Sequence, residues 1–452
     1  MPRTVSDHVV EILSDWGVDT VFGLPGDGIN GLVEAFRKSA GTIRYIHCRH
    51  EEAAALAACA YAKFTGKLGV VFATSGPGAI HLLNGLYDAK IDGAPVLAIT
   101  GMTYHDLIGT HYLQDMNQDY LYQDVAAFNQ RLMGPAHAEN ILNLACRSAL
   151  ANRTVSHVAI PIDIQATPAS QEKRFKRNVK GHSSARFQVP RRIPERALIE
   201  EAAARLRGKR KVAILAGAGA RGARAELEQL AERLGAPIVK SLLGKECLPD
   251  DSPYCVGGTG VVGTGPAVEV FKGCDALVIV GSSFPYIEFL PKPGQAVGVQ
   301  IDDRPERIGL RYPVDVGLVG DARATLRELL GFLPRNEDRA FLETAQAAMR
   351  QWWELMEERG SQTHMPMCPQ VVTWNLAELL APDAIVCGDS GTVTTWQARM
   401  KLRGEQRFSF SGTACSMAAG LPYAIGAQAA YPGRQVIAFT GDGSFTMMLG
   451  DF

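Results

Sequence analysis

The chain has 452 residues and a net charge of -1, with 46% hydrophobic and 21% charged residues. That balance excludes a basic face for nucleic acid and an acidic tail, and leaves small-molecule chemistry as the working class. No apolar run approaches the roughly 20 residues of a membrane span, the start Met1-Pro-Arg-Thr-Val-Ser-Asp7 lacks a signal-peptide core, and the nine cysteines form no Cys-x-x-Cys pair, so reduced, mostly buried thiols in a cytoplasmic protein are expected.

At about 150 residues per domain the length suggests three domains. From Val5 to Trp16 apolar positions recur at helical spacing, and Asp19 to Phe22 then runs as a strand into the glycine-rich stretch Gly23 to Asn30, ahead of another amphipathic helix. A second strand, Thr42 to Cys48, ends in Arg49-His50-Glu51-Glu52, and the alanine-rich run to Thr65 is strongly helix-forming. Glu51 therefore stands where a strand hands over to a helix. Leu68 to Thr74 reads as a strand broken by Ser75-Gly-Pro-Gly-Ala79, with a helix from Ile80 to Ile91 and a strand at Val96 to Thr100. Strands and helices alternating at this spacing imply right-handed crossovers and a parallel sheet, which Val158 to Asp163 closes.

Residues 168–192 are polar and basic, with Lys173, Arg174, Lys176, Arg177 and Lys180, and read as a linker or solvated face. A second α/β pattern fills 193–334, with strands at Lys211 to Gly217, Ala276 to Gly281, Val297 to Asp302 and Val314 to Asp321. A helical connector occupies 335–365. The third pattern, 366–452, echoes the first and ends on the apolar run Gln435 to Thr440, followed by Gly441-Asp442-Gly443-Ser444-Phe445. Glycines there permit a tight turn, and Asp442 at a strand's carboxyl end stands where open α/β sheets hold ligands and where a hard cation would find an oxygen.

Taken with Phe22-Gly-Leu-Pro-Gly, Arg49-His-Glu, Thr74-Ser-Gly-Pro-Gly-Ala, Pro95-Val-Leu-Ala-Ile-Thr-Gly, Asp389-Ser-Gly and Ser416-Met-Ala-Ala-Gly-Leu-Pro, that turn makes the chain resemble thiamin diphosphate enzymes of the acetolactate synthase and pyruvate oxidase group, pyruvate oxidases above all. The resemblance implies three doubly wound parallel-sheet α/β domains: pyrimidine-binding (1–167), a middle FAD-type Rossmann-like domain (193–334) and diphosphate-binding (366–452). It implies that Glu51 hydrogen-bonds the aminopyrimidine, that Met417, read as lying within a helix, props the cofactor's bend, and that Cys415 and Ser416 meet the pyrimidine. Ser390, Gly391 and Thr392 would stand near the diphosphate, with Asp442, Gly443 and Ser444 at the Mg2+ anchor and Asp442 the metal ligand. Gln114, within Tyr112-Leu113-Gln114-Asp115, would face the substrate; Leu113 and Asp115 depart from the family's Phe-Gln-Glu pattern. His81 and His111 receive no role.

The turn Gly217-Ala-Gly219-Ala-Arg-Gly222 has dinucleotide-binding spacing and makes a nicotinamide dehydrogenase the alternative, but Lys240 stands where that reading needs an acid. The resemblance instead implies FAD, held by Gly217, Gly219, Gly258, Thr259, Gly260, Ser282, Ser283, Phe284, Pro285, Tyr286, Asp302 and Asp321. The implied reaction is oxidative decarboxylation of a 2-oxo acid such as pyruvate, in a homodimer or homotetramer with shared sites. Acetolactate-type carboligation and a non-catalytic family member are the other readings. Because the family motif runs about 30 residues past Gly-Asp-Gly to a second metal ligand, the resemblance also implies that the third domain is truncated and binds thiamin diphosphate weakly.

Overall fold

The computed structural model describes residues 3–39, 41–171, 173–181, 185–189 and 191–452. The first sheet comprises β1 (Thr20–Gly23), β2 (Arg44–His47), β3 (Gly69–Ala73), β4 (Val96–Met102), β5 (Phe128–Arg131) and β6 (Val155–Pro161). Its order is β2-β1-β3-β4-β6-β5, with every pair parallel. β1, β3, β4 and β6 are buried along their whole length, as strands covered by helices on both faces must be.

The second sheet comprises β7 (Val212–Ala216), β8 (Ile238–Lys240), β9 (Cys255–Gly258), β10 (Ala276–Val280), β11 (Val297–Asp302) and β12 (Val316–Val319). Its parallel order β12-β11-β10-β7-β8-β9 is the doubly wound arrangement, with the topological switch between β7 and β10. A third sheet, from β13 (Ile385–Gly388), β14 (Arg407–Ser409) and β15 (Val436–Phe439), has the order β14-β13-β15, which leaves β15 at an edge.

Two compact units result: Met1–Val189 with Val386–Gly391 and Ser409–Phe452, and Pro190–Ile385 with Thr392–Phe408. The third sequence segment is thus divided between them. Its helix Gly420–Ala430 joins the first unit by lying against helix Glu51–Thr65, while helix Pro369–Leu379 joins the second by packing on connector helix Ala340–Gly360, where Asn375 Nδ2 donates to Gly360 O at 3.2 Å. One further expectation changes. The helix expected over Ile80 to Ile91 is two, Pro77–His81 and Leu83–Asp92. The segment read as a linker or solvated face is exposed over most of its described length and held to the first unit, with Arg174 Nη2 donating to Glu139 Oε2 at 2.6 Å and Phe187 edge-on to Trp16 at 5.5 Å. Residues 172, 182–184 and 190 of that stretch lie outside the described residues.

Helix Glu51–Thr65 is the element about which the first unit is packed. Alanine fills it because alanine is the best helix former. His50 Nδ1 caps it by accepting from the Glu52 amide at 3.1 Å, Glu51 and Glu52 complement the dipole, and Gly66 ends it at φ 71°. From Ala53 to Ala62 every residue is buried. Small residues on its neighbours allow this: a Cβ on Gly426 would lie 2.2 Å from Ala57 O, and one on Gly85 would lie 2.6 Å from Ala55 Cβ.

Gly426→Val should therefore force helix Gly420–Ala430 off this surface and cost about 1–3 kcal/mol, the range for overpacking, seen as a lower urea midpoint. Gly433, with nothing within 4 Å of a Cβ, should accept alanine without a comparable loss.

Candidate functional site

In the first unit Glu51 is the first residue of its helix and is buried, at 6% exposure. His81 Nδ1, at the last residue of helix Pro77–His81, lies 3.0 Å from Glu51 Oε2. The other oxygen, Oε1, lies 3.1 Å from where a Cβ on Gly78 would stand, so the missing side chain keeps it reachable. His50 stacks on His81 with ring centroids 4.9 Å apart.

Asn84 Nδ2 donates to Glu52 Oε1 at 2.6 Å and to Ser416 Oγ at 2.8 Å, which brings the Cys415–Met417 turn to this end of the helix. Met417 is in a turn and 47% exposed. The expected helical position is corrected: helix Gly420–Ala430 starts only after Ala418, whose φ of 65°, like the 55° of Cys415, belongs to a turn. Core filling is thereby removed as an explanation for Met417. Ala53, Ala418, Leu421 and Met448 form one apolar cluster with Phe445 against it, so the short helix Asp442–Met447 also reaches the start of helix Glu51–Thr65. Asp442 and Gly443 are exposed, Ser444 is buried, and nothing stands within 4 Å of a Cβ on Gly441 or Gly443.

Asp389 ties these pieces together. Its Oδ1 accepts from the Ser390 amide at 2.7 Å, and its Oδ2 accepts from the Gly420 amide at 3.1 Å and Thr440 Oγ1 at 2.7 Å. The ends of β13 and β15 and the start of helix Gly420–Ala430 meet on one buried carboxylate. Ser390 is buried and its Oγ has no hydrogen-bond partner; Gly391 follows at φ 107° in open space. Gln114, at φ 59°, packs on the Gly76 turn, and its Oε1 accepts from Ser75 Oγ at 2.5 Å, leaving the amide Nε2 to donate. Asp115 is spent on its own loop, accepting the Gly109 and His111 amides at 2.8 and 3.0 Å.

Beneath the site lies a charge network. Lys63 Nζ donates to Asp92 Oδ2 at 2.7 Å, Tyr423 OH at 2.5 Å and Phe410 O at 3.2 Å, with Asp88 Oδ2 at 3.4 Å. Tyr423 OH and Ser411 Oγ both donate to Asp88. Burial pulls the Lys63 ammonium down, but Asp88 and Asp92 outweigh it and hold the group above its ordinary value. Burial likewise pushes Asp92 up, and Lys63 overcomes it to leave the carboxyl below its usual range.

In the second unit the carboxyl ends of five of the six strands, all but β8, carry the residues singled out for FAD. Gly217 and Gly219, after β7, are close-packed on the turn after β10: a Cβ on Gly217 would lie 2.3 Å from Gly281 O, and one on Gly219 would lie 2.7 Å from Gly281 Cα. Thr259 is buried, and its amide donates to Lys240 O at 2.9 Å. Gly258 is half-buried, and Gly260, at φ 99°, lies under the Phe284 ring, 2.9 Å from where its Cβ would be. Ser282 is buried, Ser283 half-buried, Pro285 and Tyr286 exposed. Asp302 is 3% exposed; Oδ1 accepts from the Arg304 amide at 3.0 Å, whereas Oδ2 has no hydrogen-bond partner. Burial pushes its carboxyl up. Asp321 caps helix Ala322–Leu330, accepting from the Ala324 amide at 2.8 Å.

Lys240 is buried. It donates to Asp250 Oδ1 at 2.8 Å and Leu248 O at 2.6 Å, while Lys245 reaches Asp250 Oδ2 at 3.1 Å. One carboxylate thus serves two ammonium groups. Burial opposes charge on both lysines; Asp250 overcomes it for Lys240, which is raised, but Lys245, beside a second cation, is lowered. No acid stands at the end of β8 for a nicotinamide ribose.

Sequence reasoning did not assign His81, Asn84, Asp389 or the Lys63 network. His81 and Asn84 lie three apart beyond the glycine break, a spacing that could have flagged a shared helical face.

Three family models match the chain: "Thiamine pyrophosphate enzyme, N-terminal TPP binding domain" over residues 3–121, the central domain over 199–329 and the C-terminal TPP binding domain over 389–452. The chain is 40% identical over 450 residues to the provisionally named thiamine pyrophosphate-containing protein YdaP of Bacillus subtilis (strain 168), covering 99% of this chain and 77% of that protein. It is 32% identical over 448 residues to a pyruvate oxidase of Lactiplantibacillus plantarum (98% and 73%) and 31% identical over 470 residues to an acetolactate synthase of Mycobacterium bovis (98% and 72%). The expectation that the C-terminal part of the diphosphate domain is missing is not supported, since the C-terminal family model is matched.

Lys63→Met should strand Asp88 and Asp92 without their cation and cost about 3–5 kcal/mol of stability, measured by urea unfolding at pH 7. Asp92 has a folded value below its unfolded one. The stability it carries is therefore complete above the unfolded value of about 3.9 and lost as pH falls through the folded value. Asp92→Asn should flatten the acid limb of the stability-pH curve.

Proposed function

The chain belongs to the thiamine pyrophosphate enzyme family, and from that membership we propose that it catalyses oxidative decarboxylation of a 2-oxo acid, pyruvate first among candidates, with thiamin diphosphate, Mg2+ and FAD. The observation that carries the reading is the buried Glu51 carboxylate, with Oε2 engaged by His81 and Oε1 kept open by Gly78. Thiamin diphosphate, when bound, supplies the electron sink for loss of carbon dioxide.

The residues present fit that group. Glu51 Oε1 is a buried acceptor able to hold a proton shared with an aminopyrimidine nitrogen. Met417 offers an exposed apolar side chain beside a turn whose backbone is fixed through Ser416 and Asn84. Ser390 Oγ, buried and without a partner, has a proton to donate to a diphosphate oxygen, and Gly391 and Gly443 leave room for one. Asp442 presents an exposed carboxylate oxygen of the kind Mg2+ takes. Gln114 Nε2 is free to donate to a substrate carboxylate because Ser75 fixes the other end of the amide.

FAD fits the second unit on one observation above the others. Asp302 Oδ2 is a buried acceptor at the end of β11 with no donor, and a ribose hydroxyl is such a donor. Asp321 already has one, from the Ala324 amide, and supports FAD less. Acetolactate-type carboligation is the second reading, favoured by an identity to acetolactate synthase that nearly equals the identity to pyruvate oxidase.

Glu51→Gln should keep the native circular dichroism spectrum and slow hydrogen-deuterium exchange at C2 of bound thiamin diphosphate by about 10²-fold or more; an unchanged rate would remove Glu51 from the proton path. Asp302→Ala should weaken FAD binding about tenfold or more, the loss of a charge-assisted hydrogen bond, read from flavin absorbance after gel filtration. Electron-acceptor reduction with pyruvate and no acetolactate would select the oxidative reading, and the reverse would select carboligation.

A further inference from the structure

Between helices Ala340–Gly360 and Pro369–Leu379 of the second unit runs Gln362-Thr363-His364-Met365-Pro366-Met367-Cys368. Of the five residues from His364 to Cys368, four carry atoms that soft metal ions take: an imidazole nitrogen, two thioethers and a thiol. A short Cys/His tract of this kind is a compositional sign of metal binding.

The geometry adds to it. His364 Nδ1 lies 3.2 Å from Pro366 O. In the neutral tautomer whose Nδ1–H donates to that carbonyl, Nε2 keeps its lone pair, the arrangement that supports a metal-binding histidine. Cys368 Sγ lies 3.4 Å from that Nε2, and Gln362 Oε1 lies 3.2 Å from it. Cys368 Sγ and Gln362 Oε1 thus both stand within 3.4 Å of one ring nitrogen. A tetrahedral ion bonded at about 2.3 Å to sulfur and about 2.0 Å to nitrogen would hold its two ligand atoms about 3.5 Å apart, close to the separation present. Cys368 occupies the N-cap of helix Pro369–Leu379, yet its side chain makes no capping bond. Met365 and Met367 are 83% and 55% exposed, so packing does not account for either. Of the nine cysteines, seven are buried and only Cys368 and Cys415 reach solvent.

We propose that His364 to Cys368 binds one thiophilic metal ion of the copper(I) class, with Cys368 Sγ and His364 Nε2 as principal ligands and a methionine thioether completing the set. Binding converts the thiol to a thiolate and releases one proton to solvent. A thiolate, thioether and imidazole set selects copper(I) over hard cations, so the site does not compete for the Mg2+ that Asp442 would hold.

The test is anaerobic titration of the full chain with copper(I) against a chromophoric copper(I) chelator. Wild-type protein and Cys415→Ser should each take up one more tightly held equivalent than Cys368→Ser. His364→Gln should bind at least about tenfold more weakly, the lower end of the loss seen even for outer-shell partners of a metal. The double variant Met365→Leu, Met367→Leu should shift the preference from copper(I) toward zinc(II) in competition. Since the segment is exposed, circular dichroism should find all variants folded. Equal copper(I) uptake by Cys368→Ser and wild type, or wild-type preference for zinc(II), would overturn the proposal.

Discussion

An ammonium group sealed among two carboxylates and a phenol, at the meeting of three helices, holds the first unit in register. Lys63 comes from helix Glu51–Thr65, Asp88 and Asp92 from helix Leu83–Asp92, and Tyr423 from helix Gly420–Ala430. None of these charges has a solvent alternative. Each must find the others, and the helices that carry them cannot slide independently. Glu51, at the N-terminal end of the same helix, inherits that fixity. Its carboxylate is placed by a rigid element anchored near its far end and not by the loop before it.

Glu51 was legible in the sequence because local chemistry marks it: a β-rich run, then His50 and two acids, then alanines. The strand ends of the middle domain were legible on similar grounds, since apolar runs broken by glycine give strand and turn together. The contacts that make the site were not. Lys63 in an alanine-rich helix reads as a solvated charge, and only the packing of helix Gly420–Ala430, more than 350 residues away in sequence, puts it in the interior. His81 receives no role in the sequence because nothing in one sequence says that helix Pro77–His81 closes onto the first turn of helix Glu51–Thr65. Met417 reads as helical in the sequence because alanine carries no signal for the positive φ that Ala418 adopts, which interrupts the helix there.

The second unit uses charge differently. Lys240 and Lys245 share Asp250, which puts two lysine side chains in the interior at the end of β8, where the nicotinamide reading requires an acid free to meet a ribose. At the switch between β7 and β10, glycines on both turns permit backbone to pack on backbone, with the Gly219 amide donating to Gly281 O at 2.9 Å. Glycine spacing alone therefore does not separate a turn that cradles a phosphate from one that packs against its neighbour, because both forbid a Cβ. The chemistry of the strand ends beside it separates them.

Hydrogen-bond satisfaction supplies the sharper criterion. Two acids of the middle domain, Asp302 and Asp321, stand at the ends of adjacent strands and look alike in sequence. Asp321 is used as a helix cap, and replacing its role requires only the Ala324 amide to find water. Asp302 holds one oxygen against the Arg304 amide and buries the other without a donor among the described residues, which costs stability. Ser390 is the counterpart in the first unit: a buried hydroxyl in the loop after β13, bonded to nothing, next to a glycine in open space. Other buried polar atoms also lack partners, as Ser156 Oγ and Ser409 Oγ do, so an orphan atom by itself selects no site. Asp302 and Ser390 differ in being named also by the family resemblance, at strand ends where α/β sheets present groups to ligands. Where the two criteria coincide, one from the sequence and one from packing, a single residue in each unit is left as the place to test for a ligand.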